Sequence, residues 1–232
     1  DELAKVKERM LGGLARERQE TFPQALAAFT RLVYPDGHPH RRRPLEVRER
    51  ELQSLDREDL ARFHAAAYGP GSLIMGVVGD VVAGQVRDLF GDLLAGWQGG
   101  LLPLPGAPVP GEASGQRELV PLDDRPNLDV FLGHAGQLLV GDDDHAAAVL
   151  ANSCLGQSTL TSRLGTAVRD DAGLTYGVVS RFFCTLHLPG PWAIALSVSR
   201  GDLDRAEALC REVVATYVAE GPGEAELDDE RQ

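Results

Sequence analysis

Four prolines within eight residues, Pro103, Pro105, Pro108 and Pro110, lie in a stretch from 96 to 116 that is also studded with glycine. No helix interior or central strand survives that spacing, because each proline removes a donor and fixes its own φ. Such a stretch reads as a semi-rigid linker. It divides the 232 residues into 1–99, a linker at 100–116, and 117–232.

The two sides differ in pattern. In the first, Leu3, Val6, Met10 and Leu14 recur at helical spacing, so about 2–19 is expected to be an amphipathic helix. Pro23 suits the first turn of a second helix with Leu26, Phe29 and Val33 inward. Tyr34 to His40 is rich in turn residues, and Arg41–Arg43 extend that loop. His38 and His40 flank a proline there, which reads as a solvated turn before it reads as a metal pair. Asp56 is placed as the N-cap of a helix carrying Leu60, Phe63 and Ala67, stopped at Tyr68-Gly69-Pro70. Leu73–Val78 reads as a strand buried on both faces, followed by a helix with Val82, Val86, Leu89, Phe90 and Leu93 inward.

In the second half, Leu119–Leu122 and Leu128–His134 read as strands, Ala146–Ala151 and about 159–170 as helices. Leu174–Cys184 and Trp192–Ser199 read as a hairpin, with Trp192, Ile194, Leu196 and Val198 on one face. Leu203, Ala206, Leu209, Cys210, Val213 and Tyr217 mark an amphipathic helix, and Glu224 opens one more. Strands and helices group instead of alternating. The expected fold is therefore α+β, with mixed or antiparallel sheets, helices packed on one face, and two pseudo-related halves.

Charge narrows the partners. Residues 1–99 hold 14 basic and 15 acidic groups, whereas 100–232 hold 9 and 20, a net of −11. A surface so acidic repels phosphate backbones and argues against nucleic acid. No apolar run reaches the ~18–20 residues of a membrane helix, and the opening Asp1-Glu2-Leu3 is a charged helix start, not a signal peptide. Cys154, Cys184 and Cys210 show no C-x-x-C spacing, which fits reduced, buried thiols and a cytoplasmic location. Two lysines among 23 basic residues fit a GC-rich bacterial source.

Complete catalytic signatures are missing from the sequence: there is no phosphate loop, G-x-S-x-G elbow, H-E-x-x-H or H-x-x-E-H. His64 has no acidic partner at ligand spacing and reads as structural. Three stretches carry a resemblance. The first is His38-Pro39-His40, Leu55–Leu60 with Phe63, Tyr68-Gly69-Pro70 and Val77–Val81. The second is Leu155-Gly156, Ser162-Arg163-Leu164 and Val168-Arg169-Asp170-Asp171-Ala172-Gly173-Leu174-Thr175-Tyr176. The third is Trp192-Ala193-Ile194 with the helix from Asp202.

Together they resemble the pitrilysin-type (insulinase) zinc metallopeptidases, the group that includes mitochondrial-processing-peptidase-like proteins, and they cover most of the chain. The resemblance implies a clamshell in which one half binds zinc and the other grips the peptide with an arginine and a tyrosine. By motif these are Arg169 and Tyr176. A guanidinium and a phenol are both donors able to meet a peptide carbonyl as charge builds on its oxygen.

The zinc helix has no counterpart here. The distant zinc glutamate of the family falls near Gly13, with Glu8 and Glu17 about a turn away. The resemblance therefore implies a central fragment or non-catalytic member, without a cofactor or metal ligand of its own. Zinc is expected in the parent protein or a partner subunit. The expected partners are a peptide and a related peptidase subunit, in a homo- or heterodimer. The alternative is a non-enzymatic scaffold or accessory subunit descended from the same family.

Overall fold

The computed structural model describes residues 2–100, 106–111, 115–183 and 186–230. Prolines 103 and 105 of the linker, and Cys184, lie outside the described residues. The chain forms two compact units, Asp1–Gly12 with Glu46–Gly106, and Gly13–Leu45 with Ala107–Gln232.

The first unit takes the start of α1 (Glu2–Glu17), most of α3 (Leu45–Ser54), then α4 (Arg57–Ala67) and α5 (Ala83–Leu94). Lys7 ties α1 to the end of α3, its ammonium donating to the Gln53 and Leu55 carbonyls at 2.8 Å each. Asp56 caps α4 as expected. Its carboxylate takes the Asp59 N–H while the Asp59 carboxylate takes the Asp56 N–H, so two otherwise orphaned amides are satisfied. After α4 the chain closes on itself at Gly69, where an added Cβ would lie 2.2 Å from the Gly99 carbonyl carbon, so no larger residue fits.

Between Arg43 and Asp56, where the sequence reading placed no element, the chain forms α3 on few apolar residues. Leu89 and Leu93, expected inward on α5, are exposed. The larger correction is Leu73–Val78, which forms no strand and leaves Ile74 97% exposed. A strand's backbone groups need a neighbouring strand, and the described residues of this unit contain none.

The second unit is built on a three-stranded antiparallel sheet of order β1-β3-β2: β1 (Asn127–His134), β2 (Thr175–Phe182) and β3 (Trp192–Ser199). Pairing of Leu128 with Val198, Val130 with Leu196 and Leu132 with Ile194 puts all six apolar side chains on one face. Val178 and Ser180 of β2 join them, opposite Leu196 and Ile194. That face packs against α6 (His145–Asn152), two π-helical segments (Ser153–Gln157 and Gly165–Asp171), α7 (Leu203–Glu220) and α8 (Glu224–Glu230). Leu164, Val168, Val178 and Cys210 are sealed from solvent in this core. Cys154 is buried too, and both described cysteines are free thiols.

Polar side chains buried between the sheet and its helices are paired, as a low-dielectric interior requires. Asn152 accepts from the Trp192 indole and the Ser180 hydroxyl at 2.8 Å each, and donates to the Ser180 carbonyl at 2.9 Å. Arg163 clamps α8 through two 2.7 Å bonds to the Glu226 carboxylate, with its guanidinium 4.9 Å over the Tyr217 ring. That guanidinium holds Glu226 below the usual carboxylate range.

On the other face, α2 (Thr21–Val33) covers β1, with Phe22 and Phe29 against Phe131 at 5.0 and 5.8 Å. The expected helix over 159–170 is a turn followed by the second π-helical segment. Leu119–Leu122, expected as a strand, makes no ladder with β1. The His38–His40 loop is not a solvated turn. His38 is buried and stacked on Tyr34, 4.0 Å between ring centroids.

Candidate functional site

Arg169 and Tyr176 stand at the two ends of one tight turn. Three backbone bonds close it: Ala172 N–H to Ala167 O at 3.2 Å, Gly173 N–H to Arg169 O at 3.2 Å, and Leu174 N–H to Val168 O at 3.0 Å. Gly173 has φ +64°, a left-handed conformation that glycine adopts without strain. Val168 and Leu174 are both buried, so each limb of the turn is anchored in the core.

A β-bulge positions the tyrosine. Thr175 pairs with Val198 but Val178 pairs with Leu196, so Tyr176 and Gly177 together oppose Ser197. The Thr175 hydroxyl pins the bulge, donating to the Ser197 carbonyl at 2.7 Å and accepting the Gly177 N–H at 3.2 Å. The extra residue turns Tyr176 outward, and it is 95% exposed. A phenol held so openly by a pinned backbone is poor core packing and good presentation.

Arg169 is about one third exposed, and its Nη1 donates to Asp170 Oδ1 at 2.8 Å. The guanidinium thus bonds to its sequence neighbour and not to the phenol. The remaining N–H groups of the fork are donors in hand for an incoming acceptor.

Close packing explains the local shape. A Cβ on Gly165 would fall 2.1 Å from the Thr159 carbonyl oxygen, and one on Gly156 would fall 2.4 Å from the Ser180 hydroxyl. The 156–165 segment therefore lies directly against the start of the second π-helical segment and β2. The bulge was legible in principle, since glycine inside a strand pattern marks one, yet the tyrosine's outward aim needs the register with β3.

Among the described residues no three His, Cys, Asp or Glu side chains gather as a metal group. Gly13, where the zinc glutamate would fall, lies within α1 with open space around it. The donor set present does not fit zinc. A cavity of about 1840 Å³ runs beside β1, lined by α2, α7, 107–111 and 115–122 among others, and neither Arg169 nor Tyr176 lines it. Among the described residues no helix is long and apolar enough to cross a membrane.

These features define an α+β chain with an exposed tyrosine at the end of a tight turn that starts at Arg169, and with no metal donor group among its described residues. Residues 54–232 match the family described as peptidase M16 inactive domain, and the chain belongs to that family. Among solved structures it resembles the peptidase M16 inactive domain from Pseudomonas fluorescens, with 27% identity and a TM-score of 0.84 over 99% of this chain and 54% of that one. A protease from Helicobacter pylori follows at 22% identity and 0.76, over 99% of this chain and 55% of the other. The periplasmic protease PqqL from Escherichia coli shares the fold at 17% identity and 0.71, with 99% of this chain covering 25% of that one. The chain thus spans about half the length, or less, of these proteins. No curated protein matches its sequence.

Proposed function

We propose that this chain is the substrate-binding, non-zinc portion of an insulinase-family metallopeptidase, and that it supports peptide hydrolysis together with a zinc-bearing half or partner subunit. The observation that carries this reading is Tyr176, lifted into solvent by a pinned bulge beside the turn that starts at Arg169. In this role the phenol and the guanidinium donate to a carbonyl of the bound peptide. Their bonds strengthen as the zinc-bearing half drives charge onto that oxygen, which is the condition for lowering a barrier and not merely binding tightly. Asp170 keeps the guanidinium in place until the peptide arrives. The division into 1–99, a linker at 100–116, and 117–232 belongs to the same proposal, as the back half of one peptidase-like domain and the front part of the next. So does a cytoplasmic location, which the free thiols favour.

Combining the chain with a zinc-bearing partner and a fluorogenic peptide tests the reading. Arg169→Ala and Tyr176→Phe are each expected to lower kcat/KM about 10²–10³-fold, the loss typical of one preorganised donor, with the circular-dichroism spectrum unchanged. Wild-type rates in both variants remove the assigned role.

A scaffold reading has its own support in the exposed apolar run through Leu73–Val82, a surface suited to a permanent partner. It expects a stable complex and no cleavage with any zinc-bearing subunit.

A further inference from the structure

We propose that Arg181 is the charge-reading residue of this same peptide site and selects a carboxylate about four residues along the chain from the gripped carbonyl. The inference rests on reading Arg169 and Tyr176 as a peptide grip.

Val178 and Ser180 point to the buried core, so Val179 and Arg181 point to the opposite face of β2. The bulge puts Tyr176 and Gly177 opposite Ser197, on that same opposite face. Across the ladder the face continues through Ala193, Ala195 and Ser197 of β3. Arg181 is therefore the one permanently charged side chain on this face of β2 and β3. It is exposed, and among the described residues it has no ion-pair or hydrogen-bond partner. The arginines at 163, 169, 117 and 211 each hold a carboxylate. This leaves an unneutralised guanidinium above a floor of small uncharged residues.

Its place fits a peptide. β2 lies at the end of the order β1-β3-β2, so its outer edge has no partner strand among the described residues. An extended peptide beside that edge advances about 3.3 Å per residue, which puts Arg181 some ~13 Å, or four steps, from the bulge. Four steps is an even number, so the side chain that reaches Arg181 leaves the peptide on the same side as the one at Tyr176. Arginine's planar fork meets a carboxylate with two parallel bonds.

Fluorescence anisotropy of the full 232-residue chain with labelled, C-terminally amidated ten-residue Ala/Thr peptides tests this. A single Glu, Gln or Lys is walked through the positions. Glu at one position is expected to tighten binding about fivefold over Gln, the upper range for an exposed pair. Arg181→Gln should abolish that preference, and Arg181→Glu should invert it towards Lys at the same position. Free-acid versions distinguish a terminal carboxylate from a side chain: tightening by the free terminus alone overturns the side-chain reading. A preference that ignores position, or that survives both Arg181 variants, overturns the proposal. Arg169→Ala and Tyr176→Phe separate the two readings. If they weaken every peptide while charge preference ignores residue 181, only the Arg181 inference falls. If they weaken none, the grip itself is wrong, and if no peptide binds at all, both are.

Discussion

Tyr34, His38 and His40 lie ring against ring, with Tyr34 and His38 stacked at 4.0 Å and His40 5.6 Å from each. His38 Nδ1 accepts the His40 backbone N–H at 3.1 Å, which fixes its tautomer with the proton on Nε2. Burial pushes both imidazoles down from their usual value, and the two rings also repel each other's charge at His38. The same burial raises the Tyr34 phenol to about 12. Arg41 closes the loop beside them, bonded to the Tyr34 carbonyl at 2.7 Å and to Asp36 at 2.8 Å. Both histidines are thus neutral when folded but titrate near 6.5 when unfolded. Their contribution is complete above that pH and is lost as pH falls through their lower folded values. The melting temperature is expected to drop between about pH 7 and pH 5, and a His38→Gln/His40→Gln variant should show a flatter slope over the same range. Equal slopes in the two proteins would mean the acid sensitivity comes from elsewhere.

At the scale of elements, the hairpin of β2 and β3 and the long α7 were legible because each buries one face, and burial writes a period of two or 3.6 into the residues. The capping box of α4 was legible because it is local. The missed features depend on partners. Leu73–Val78 and Leu119–Leu122 have strand composition, but composition supplies no neighbour to bond with. The π-helical segment Gly165–Asp171 was read as an ordinary helix, since apolar spacing barely differs between the two windings. What marks it is glycine at 165, forced by the Thr159 carbonyl, a contact between loop and helix that no periodicity records. The candidate site splits along the same line. Its residues were named from a motif, while its exposure came from a register shift. Gly165→Ala is expected to destabilise the chain by about 1–3 kcal/mol in urea titration, as overpacking against unyielding backbone does. Gly12→Ala, in helical backbone with nothing within 4 Å, should instead stabilise by about 0.5–1 kcal/mol. Opposite signs for the same substitution separate a packing glycine from an idle one; a neutral result at 165 would contradict the close approach.

For the whole molecule, the distribution of apolar surface is uneven. The sheet unit gathers its buried large side chains into one core and exposes others singly, as at Leu160 and Val218, whereas the helical unit leaves Ile74, Val77, Val78, Val81 and Val82 together in solvent, along with Leu89 and Leu93 of α5. Scattered exposed residues are ordinary, but a contiguous run of this kind marks a surface that associates. The backbone from 74 to 78 joins no ladder among the described residues, so another chain finds N–H and C=O groups to bond beside a hydrophobic face. Net charge of −12 opposes that association over long range but is screened beyond about 8–10 Å in physiological salt. The isolated chain is therefore expected to self-associate with rising concentration and salt, as followed by sedimentation velocity. Ile74→Lys with Val78→Lys should keep it monomeric. Because both side chains already lie in water, the double variant should unfold within about 0.5 kcal/mol of the parent, as surface changes do. Loss of stability comparable to a core substitution would show that these residues are packed in solution. Unchanged association would move the sticky surface to another part of the molecule, with the edge of β1, which has no partner strand among the described residues, as the next candidate.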